Sequence, residues 1–192
     1  MIPMIRNNKQ GLTLVELMVV LVLSTLLMSA AYMSYTAQHK GGRLQEQVAT
    51  MQQDLRAAMD IMERDIRNAG CDPTFADIPP LSAGISGASV LGLAWDSAGT
   101  GTAQQIRYDL SSGNLRRDAE TLIQNVTSFG VVYWNSSGGT ITPESSGKLS
   151  STQVEHVQAV QVTIWLRSNK IDPDTGEYVN RTLTRLVKLR NR

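Results

Sequence analysis

The chain has 192 residues, enough for one ordinary domain, and 42% of them are hydrophobic. Its formal net charge of +1 gives no electrostatic argument for nucleic acid or an anionic surface as the main partner. Its one cysteine, Cys71, excludes an intrachain disulfide. The hydrophobic residues are unevenly spread, because a long apolar run lies near the N-terminus and the remainder is polar. The composition therefore predicts one segment suited to lipid and another suited to water.

The apolar run extends from Leu12 to Tyr35 and contains a single charged residue, Glu16. A helix needs about 20 predominantly apolar residues to cross a bilayer, so this run is long enough. Arg6 and Lys9 precede it, and the positive-inside tendency keeps the N-terminus in the cytoplasm. The sequence thus predicts a single-pass membrane protein whose C-terminal part is exported.

Glu16 distinguishes two processing fates of such a segment. A secretory signal is cut after its apolar region, and a cut after Ala31, in Ser29-Ala30-Ala31, fits that pattern. In the other fate the cut precedes the apolar region and the helix is retained. A carboxylate inside a membrane segment costs about 2.5–3.5 kcal/mol, from which a disposable signal gains nothing. Glu16 therefore favours a retained helix.

The residues around Glu16 resemble a known motif. The stretch Gly11–Val19, with the sequence GLTLVELMV, is similar to the cleavage and methylation motif of type IV prepilins and type II secretion pseudopilins. Leu12 stands where most members of these families have phenylalanine. The resemblance implies cleavage between Gly11 and Leu12 by a prepilin peptidase, followed by N-methylation of Leu12.

The chemistry of the cut suggests a role for Glu16 in subunit assembly. Cleavage creates an α-amine on Leu12, whose reference pKa of about 7.7–8.0 makes it largely cationic. In a filament, the Glu16 carboxylate of one subunit can pair with the Leu12 amine of a neighbour. A lone buried charge is strongly destabilising, so this pairing selects one axial register. The alternative is that Glu16 snorkels to the membrane surface, or is protonated, and has no role.

An amphipathic helix is predicted to continue from the membrane segment. Its apolar residues recur at spacings of three and four: Leu44, Val48, Met51, Leu55, Met59, Met62 and Ile66. We interpret its methionines as core residues and not as a groove for a partner, because Met commonly fills irregular gaps in cores. Gly70 is a natural C-cap and Pro73 blocks continuation of the helix.

Alternating apolar and polar residues predict strands in the remainder of the chain. The predicted strands cover 90–95, 105–110, 115–117, 129–133, 160–167 and 178–189, and a polar loop covers 135–152. One face of these strands is apolar, and the helix stripe can cover it. The fold class is therefore predicted to be α+β, with a long N-terminal helix packed on an antiparallel β-sheet.

The resemblance extends into this second part and implies the type IV pilin fold. The stretches Arg64–Gly70, Val126–Tyr133 and Val187–Asn191 resemble PilW-type minor pilins, and pseudopilin J of type II secretion shares the layout. Many major pilins have a proline in the membrane span, where this chain has Met33, and many close a C-terminal disulfide loop. Both departures favour a minor subunit.

Four segments follow from this resemblance. They are a cleaved leader peptide (1–11), a transmembrane and filament-core helix (12–36), an amphipathic helix (37–69) and a β-sheet head (70–192). The implied location is the inner membrane, with the head in the periplasm or in an assembled filament.

Residues that carry other chemistry are few. His39 and His156 have no partner constellation, and no catalytic motif is present, so we predict neither enzymatic activity nor a cofactor. Asp172, Asp174 and Glu177 faintly resemble a calcium loop, but Pro-Asp-Thr-Gly is also an ordinary hairpin turn, and we expect no metal.

Two further features are given structural interpretations. Cys71 is predicted to pack beside the helix end, although a reactive thiol stays an alternative. The basic C-terminal residues are expected to form a solvated strand face. Sites that bind single-stranded nucleic acid combine basic with aromatic side chains, and no aromatic residues are interleaved with these charges. The basic residues are Arg181, Arg185, Lys188, Arg190 and Arg192.

The sequence therefore predicts a minor pilin-like subunit that takes part in assembly or priming of a type IV pilus. The alternatives are a minor pseudopilin of a type II secretion system and an adhesin or DNA-binding subunit displayed at a filament tip. The expected partners are the prepilin peptidase, other pilin or pseudopilin subunits, the inner-membrane assembly platform and the lipid bilayer.

Overall fold

The computed structural model describes residues 13–172 and 175–191, apart from the side chains of residues 40–44. The chain divides into two units, Met1–Gln45 and Glu46–Arg192. The elements, in chain order, are α1 (Leu14–Asn68), β1 (Val90–Trp95), β2 (Gln104–Ser111), β3 (Asn114–Arg117), β4 (Glu120–Ile123), β5 (Val126–Trp134), β6 (Thr140–Ile141), α2 (Ser151–His156), β7 (Ala159–Ile171) and β8 (Tyr178–Lys188).

The part of α1 in the first unit is predominantly apolar, and Glu16 is the one acidic or basic residue between Leu14 and Gln38. Its stretch Leu14–His39 is long and apolar enough to cross a membrane. Four hydroxyl groups within it donate to carbonyl oxygens of the preceding turn, at 2.7–2.9 Å, and so need no water: they belong to Ser24, Thr25, Ser29 and Thr36. Such internal satisfaction is what a helix in lipid requires.

The second unit contains two antiparallel four-stranded sheets, where the sequence predicted one. Their strand orders are β1-β2-β3-β4 and β6-β5-β7-β8. The division falls at Asn125, whose left-handed backbone (φ 59°) turns the chain between β4 and β5. β5 then pairs with β7 and not with β4. The predicted α+β fold of the type IV pilin kind is confirmed.

The apolar stripe of α1 forms part of the core in the second unit. Met51, Leu55, Met59, Met62 and Ile66 are all buried, and the prediction that the methionines are core residues is confirmed. They belong to the same cluster as the buried faces of β5 and β7. The side chain of Leu44, which the sequence placed in this stripe, lies outside the described residues.

The end of α1 is determined by Gly70. Its φ of +75° is the left-handed conformation that favours glycine, and its N–H donates to the Ala94 carbonyl at 2.8 Å. The prediction that Cys71 packs beside the helix end is wrong, because its side chain is exposed. Its carbonyl accepts the Asp96 N–H at 2.7 Å, so the residue is held to the fold through its backbone.

The strands predicted from alternation are all present, and three elements were missed. β4 pairs with β3, and the loop over 135–152 contains β6 and the start of α2. A capping box begins α2: the Ser150 side chain accepts the Gln153 N–H, and the Gln153 side chain accepts the Ser150 N–H. This reciprocal pattern is legible in the sequence, and it was the signal that could have revealed α2.

Candidate processing and assembly site

The N-terminal end of α1 is capped by Thr13. Its hydroxyl oxygen accepts the Glu16 N–H at 3.2 Å, and its carbonyl accepts the Leu17 N–H at 3.1 Å. A threonine in this position satisfies one of the N–H groups that a helix leaves unpaired at its start. The helix therefore begins two residues after Leu12. Gly11 and Leu12, the predicted cleavage and methylation site, lie outside the described residues.

Glu16 lies in the first turn of α1, and its side chain is exposed in the isolated chain. A carboxylate there is favoured by the partial positive charge of the helix N-terminus. Thr13 and Glu16 have the spacing of a capping box, so the motif residues also fit a purely local role in starting the helix. The pairing of Glu16 with a neighbouring subunit stays a prediction.

The apolar helix presents large side chains to its surroundings on all sides. Leu14, Val15, Leu27 and Met28 are each between 70% and 75% exposed, which requires lipid or other apolar helices around them. Near the C-terminal end of this stretch the rings of Tyr35 and His39 make an edge-to-face contact, with centroids 4.2 Å apart. His39 thus has an aromatic neighbour there.

An ion-pair network joins α1 to β8 in the head. Arg185 lies 2.7 Å from Asp60 and 2.6 Å from Glu63, and Glu63 also pairs with Arg67 at 2.6 Å. The hydrogen bonds from Arg67 and then from Arg185 hold the pKa of Glu63 below its ordinary value. The prediction of a merely solvated basic face is therefore wrong for Arg185, which shares the inward face of β8 with Leu183 and Val187.

A second polar cluster joins α1 to the first sheet. Asp65, only 7% exposed, accepts the Tyr108 hydroxyl and lies 2.9 Å from the Arg117 guanidinium. Burial, and then the hydrogen bond to Asp65, raise the pKa of Tyr108, which keeps the phenol protonated. All three side chains have partners within the cluster, so its role is to hold the helix on the sheet.

Two of the three metal candidates, Asp172 and Glu177, are joined through the backbone at a turn between β7 and β8. The Asp172 N–H donates to the Glu177 carbonyl, and the Gly176 N–H donates to the Asp172 carbonyl, both at 2.8 Å. Asp174 lies outside the described residues. Within the part of the chain that the structure describes, no three His, Cys, Asp or Glu side chains are grouped as a metal site would need. His156 is the last residue of α2.

An open groove next to the helix end was not predicted. It has a volume of about 780 Å³ and is lined by residues that include Cys71, Phe75, Ile78 and Arg190. Phe75 is 93% exposed and has a φ of 55°. The prolines at 73, 79 and 80 were the sequence signal for an irregular loop here.

These features together define a class of protein. A Thr13-capped apolar helix that begins within a Gly-Leu-Thr-Leu-Val-Glu sequence motif, and whose C-terminal part packs into a head of two β-sheets, is the architecture of a type IV pilin-like protein. One such helix fits a single-pass membrane anchor with a soluble head.

Comparison with protein families agrees with this class. Residues 6–32 match the prokaryotic N-terminal methylation motif, and residues 44–189 match prepilin peptidase-dependent protein B. Because the second match covers more than half of the chain, the chain belongs to the prepilin peptidase-dependent protein B family. No curated protein sequence matches the chain.

The family assignment has direct consequences for the sequence-based interpretation. The chain is a prepilin peptidase-dependent, minor pilin-like protein with an N-methylation motif, as the resemblance implied. Prepilin peptidase is its processing partner. Both matches indicate a pilin-like structural protein.

Proposed function

We propose that this protein is a minor pilin subunit that takes part in the assembly or priming of a type IV pilus. The proposal rests on the presence of two features in one chain. The N-terminal helix contains the methylation motif, and the head matches the prepilin peptidase-dependent protein B family. The departures noted in the sequence, Met33 in place of proline and the lack of a disulfide loop, support a minor subunit.

In this proposal the apolar helix has two successive environments. It is first held in the inner membrane by lipid, with the head in the periplasm, and is then transferred to the core of a filament. Both environments are apolar, which suits a stretch whose large side chains are exposed and in which four hydroxyl groups are satisfied by the helix backbone. The partners are other pilin subunits and the inner-membrane assembly platform.

Processing prepares the transfer. Cleavage between Gly11 and Leu12 removes the leader over 1–11, and methylation modifies the new amine on Leu12. Since α1 begins at Leu14, the cut falls just before the helix and leaves the whole apolar stretch on the mature protein. Glu16 then pairs with the Leu12 amine of a neighbouring subunit and sets the axial position of the new subunit.

Two measurements test the proposal. Intact-mass analysis of the protein from cells should give a chain that begins at N-methyl-Leu12, and cells without prepilin peptidase should contain the uncut precursor. Gly11→Val serves as the matched control, because it alters the residue before the cut and should leave the precursor uncut. A mature protein that begins at Tyr32 contradicts a retained helix.

The second measurement concerns the filament. Cells that lack this protein should display fewer surface filaments, and the protein supplied separately should restore them. Unchanged filament numbers in its absence, with correct cleavage at Leu12, would overturn the role in assembly while leaving the processing intact.

A further inference from the structure

The strand β8 is the one long open sheet edge among the described residues. It has 11 residues and ends the sheet in which it pairs only with β7. The other edge strands are short or covered: β4 has four residues and β6 has two. The outer side of β1 is closed by the segment at Pro80–Ser82, where Ser82 N–H donates to Gly92 and Ala94 N–H donates to Pro80.

The pairing register shows which backbone groups of β8 face outward. The Leu189 N–H donates to Gln158 at 2.9 Å, directly opposite it, so this is a hydrogen-bonded pair. In an antiparallel ladder such pairs alternate with pairs whose N–H and C=O groups point away from each other. The groups that point away from β7 therefore belong to every second residue: Thr182, Thr184, Leu186 and Lys188.

One neighbouring group on the same side is already satisfied. The Asn180 carbonyl accepts a hydrogen bond from the Arg181 side chain at 3.1 Å, so the open stretch begins at Thr182. Exposed edges are usually protected by charges, prolines or bulges. Among the four outward-facing residues only Lys188, at the end, has a charge, and no register shift interrupts the ladder along them. This edge is geometrically ready to pair with another strand.

Apolar surface lies beside the open edge. Leu186 is 54% exposed and Trp165, on the same outer face of the sheet, is 39% exposed. The Trp165 ring covers Gly130 of the next strand. A strand added to β8 would place alternate side chains beside Leu186 and Thr184 and so bury part of this surface.

The charge of the edge indicates what kind of strand fits. From Tyr178 to Asn191 the chain contains four cationic side chains and no carboxylate. Arg185 is already paired with α1, but no carboxylate in the described parts of the chain forms an ion pair with Arg181 or Lys188. The Nε of Arg181 is buried and has no hydrogen-bond partner there. A second copy of β8 would add like charges and no carboxylate.

We propose that β8 accepts an extended, acidic segment of a different polypeptide as an additional strand. Main-chain hydrogen bonds to Thr182, Thr184 and Leu186 supply the binding, and carboxylates of the partner face Arg181 and Lys188. The inference goes beyond the proposed function, because it rests on the head alone and holds for any assembly that contains this protein.

The test uses the full chain in detergent micelles and two capped peptides of about seven residues, the length of an ordinary strand. One combines Val and Thr with Glu residues on both faces of the strand, because Arg181 and Lys188 lie on opposite faces of β8, and the other has Lys in place of each Glu. The acidic peptide should bind, and it should slow hydrogen exchange at the amides of Thr182, Thr184 and Leu186. The basic peptide should bind at least several-fold more weakly.

Substitutions at Thr184 and Lys188 distinguish binding through the backbone of β8 from binding through its side chains. Thr184→Pro removes an outward N–H and keeps the main-chain hydrogen bonds between β7 and β8, although like Thr184→Val it loses the 3.0 Å hydroxyl contact with Thr163. It should weaken binding of the acidic peptide roughly tenfold. The matched control Thr184→Val keeps the N–H and should stay within about twofold of the unaltered protein. Lys188→Glu should lower the preference for the acidic peptide about threefold.

Three outcomes of the peptide experiments would overturn the proposal. They are equal binding of the two peptides, binding that Thr184→Pro leaves unchanged, and exchange protection located away from 182–186. If Thr184→Pro fails to fold, the exchange measurement on the unaltered protein decides the matter. A photo-crosslinker at Thr184 that joins two copies of this chain would also overturn it, because β8 would then pair with itself.

Discussion

The guanidinium of Arg117 in β3 lies 2.9 Å from the carboxylate of Asp65 in α1, which links the helix to the first sheet. The same carboxylate oxygen accepts the hydroxyl of Tyr108. Asp65 adjoins Ile66 of the apolar stripe and is nearly as buried. A charged residue is tolerated at this position because two donors compensate for its removal from water.

Removal of the Asp65 carboxylate should be strongly destabilising. Asp65→Ala leaves the buried Tyr108 hydroxyl without an acceptor and Arg117 without a counter-charge, so the free energy of unfolding should fall by about 3 kcal/mol. Tyr108→Phe is the matched comparison, since it removes one donor and should lower that free energy by about 1 kcal/mol. Urea denaturation of the head fragment described next measures both, and equal losses would assign the effect to packing.

The head should fold without its membrane segment, provided that the stripe of α1 is kept. A fragment that begins at Leu44 retains Met51–Ile66 and should be soluble and monomeric. A fragment that begins at Gly70 exposes the sheet residues that the stripe covers and should aggregate. Size-exclusion chromatography distinguishes the two. A well-behaved monomer from Gly70 onward would show that the helix is not needed to cover the sheets.

The sequence predicted an element correctly where the periodic pattern of its apolar residues is long, and missed elements whose pattern is short. The stripe of α1 and the alternation in β7 repeat over several turns or residue pairs, and both are confirmed. β1 was predicted with its observed bounds, Val90–Trp95. β4 was missed because four residues, Glu120–Ile123, are too few for alternation to stand out from a loop.

The polar contacts between elements were much less predictable. Arg185 and Asp60 are 125 positions apart, and their pairing depends on which strand lies beneath α1. From the sequence Arg185 was expected on a solvated strand face, whereas it lies on the inward face with Leu183 and Val187 and pairs with α1. At the candidate site the sequence motif indicated Glu16 as a residue for subunit assembly, whereas the capping of α1 by Thr13 became visible only in the structure.

Stability of the head should fall on acidification, in part through Glu63. Hydrogen bonds from Arg67 and Arg185 lower its pKa in the folded state below the reference of 4.5. The unfolded chain therefore binds more protons in this range, so the stabilising contribution is present above about pH 4.5 and is lost as the pH falls through the folded pKa. Glu63→Gln should flatten the decline in unfolding free energy between about pH 5 and about pH 3.

The control for Glu63 is an exposed carboxylate. Glu144 forms no ion pair within the described parts of the chain, so Glu144→Gln is the matched loss of a carboxylate that has no guanidinium partner there. Some slope should persist in Glu63→Gln because of Asp96. Burial works to raise the pKa of Asp96, but backbone N–H groups, first that of Gly101, outweigh it and lower the pKa. Identical pH profiles for Glu63→Gln and the unaltered head would contradict the assignment.

Gly70 and Gly84 offer a matched test of close packing at the end of α1. Both have left-handed backbones, with φ of +75° and +73°. A Cβ at Gly70 would lie 2.4 Å from the Asn191 carbonyl oxygen, whereas one at Gly84 would meet nothing within 4 Å. Gly84→Ala should therefore cost about 1 kcal/mol of unfolding free energy through backbone strain alone. Gly70→Ala should cost about 3 kcal/mol, because the clash is added. Equal losses would mean that the chain near Asn191 moves aside freely.

The role proposed for Glu16 can be separated from its local role at the start of α1. Glu16→Ala should still insert into the membrane, since the change makes the span more apolar, and cleavage after Gly11 should largely survive. Incorporation into filaments should fail, because the subunit loses the counter-charge for a neighbouring Leu12 amine. The measurement is the amount of this subunit in sheared filaments relative to the membrane pool.

Two further substitutions decide whether charge or helix capping is responsible. Glu16→Gln keeps the length and hydrogen-bonding capacity but removes the charge, so it should not restore incorporation, whereas a capping role would be largely restored. Glu16→Asp keeps the charge with a shorter reach and should restore incorporation in part. Thr13→Val removes the cap and leaves the carboxylate, so it should reduce incorporation little if charge pairing is dominant.

Normal incorporation of Glu16→Ala would show that this subunit docks without its carboxylate. A subunit at the filament tip has no neighbour above it and needs that carboxylate least, so the same experiment also reports position in the filament.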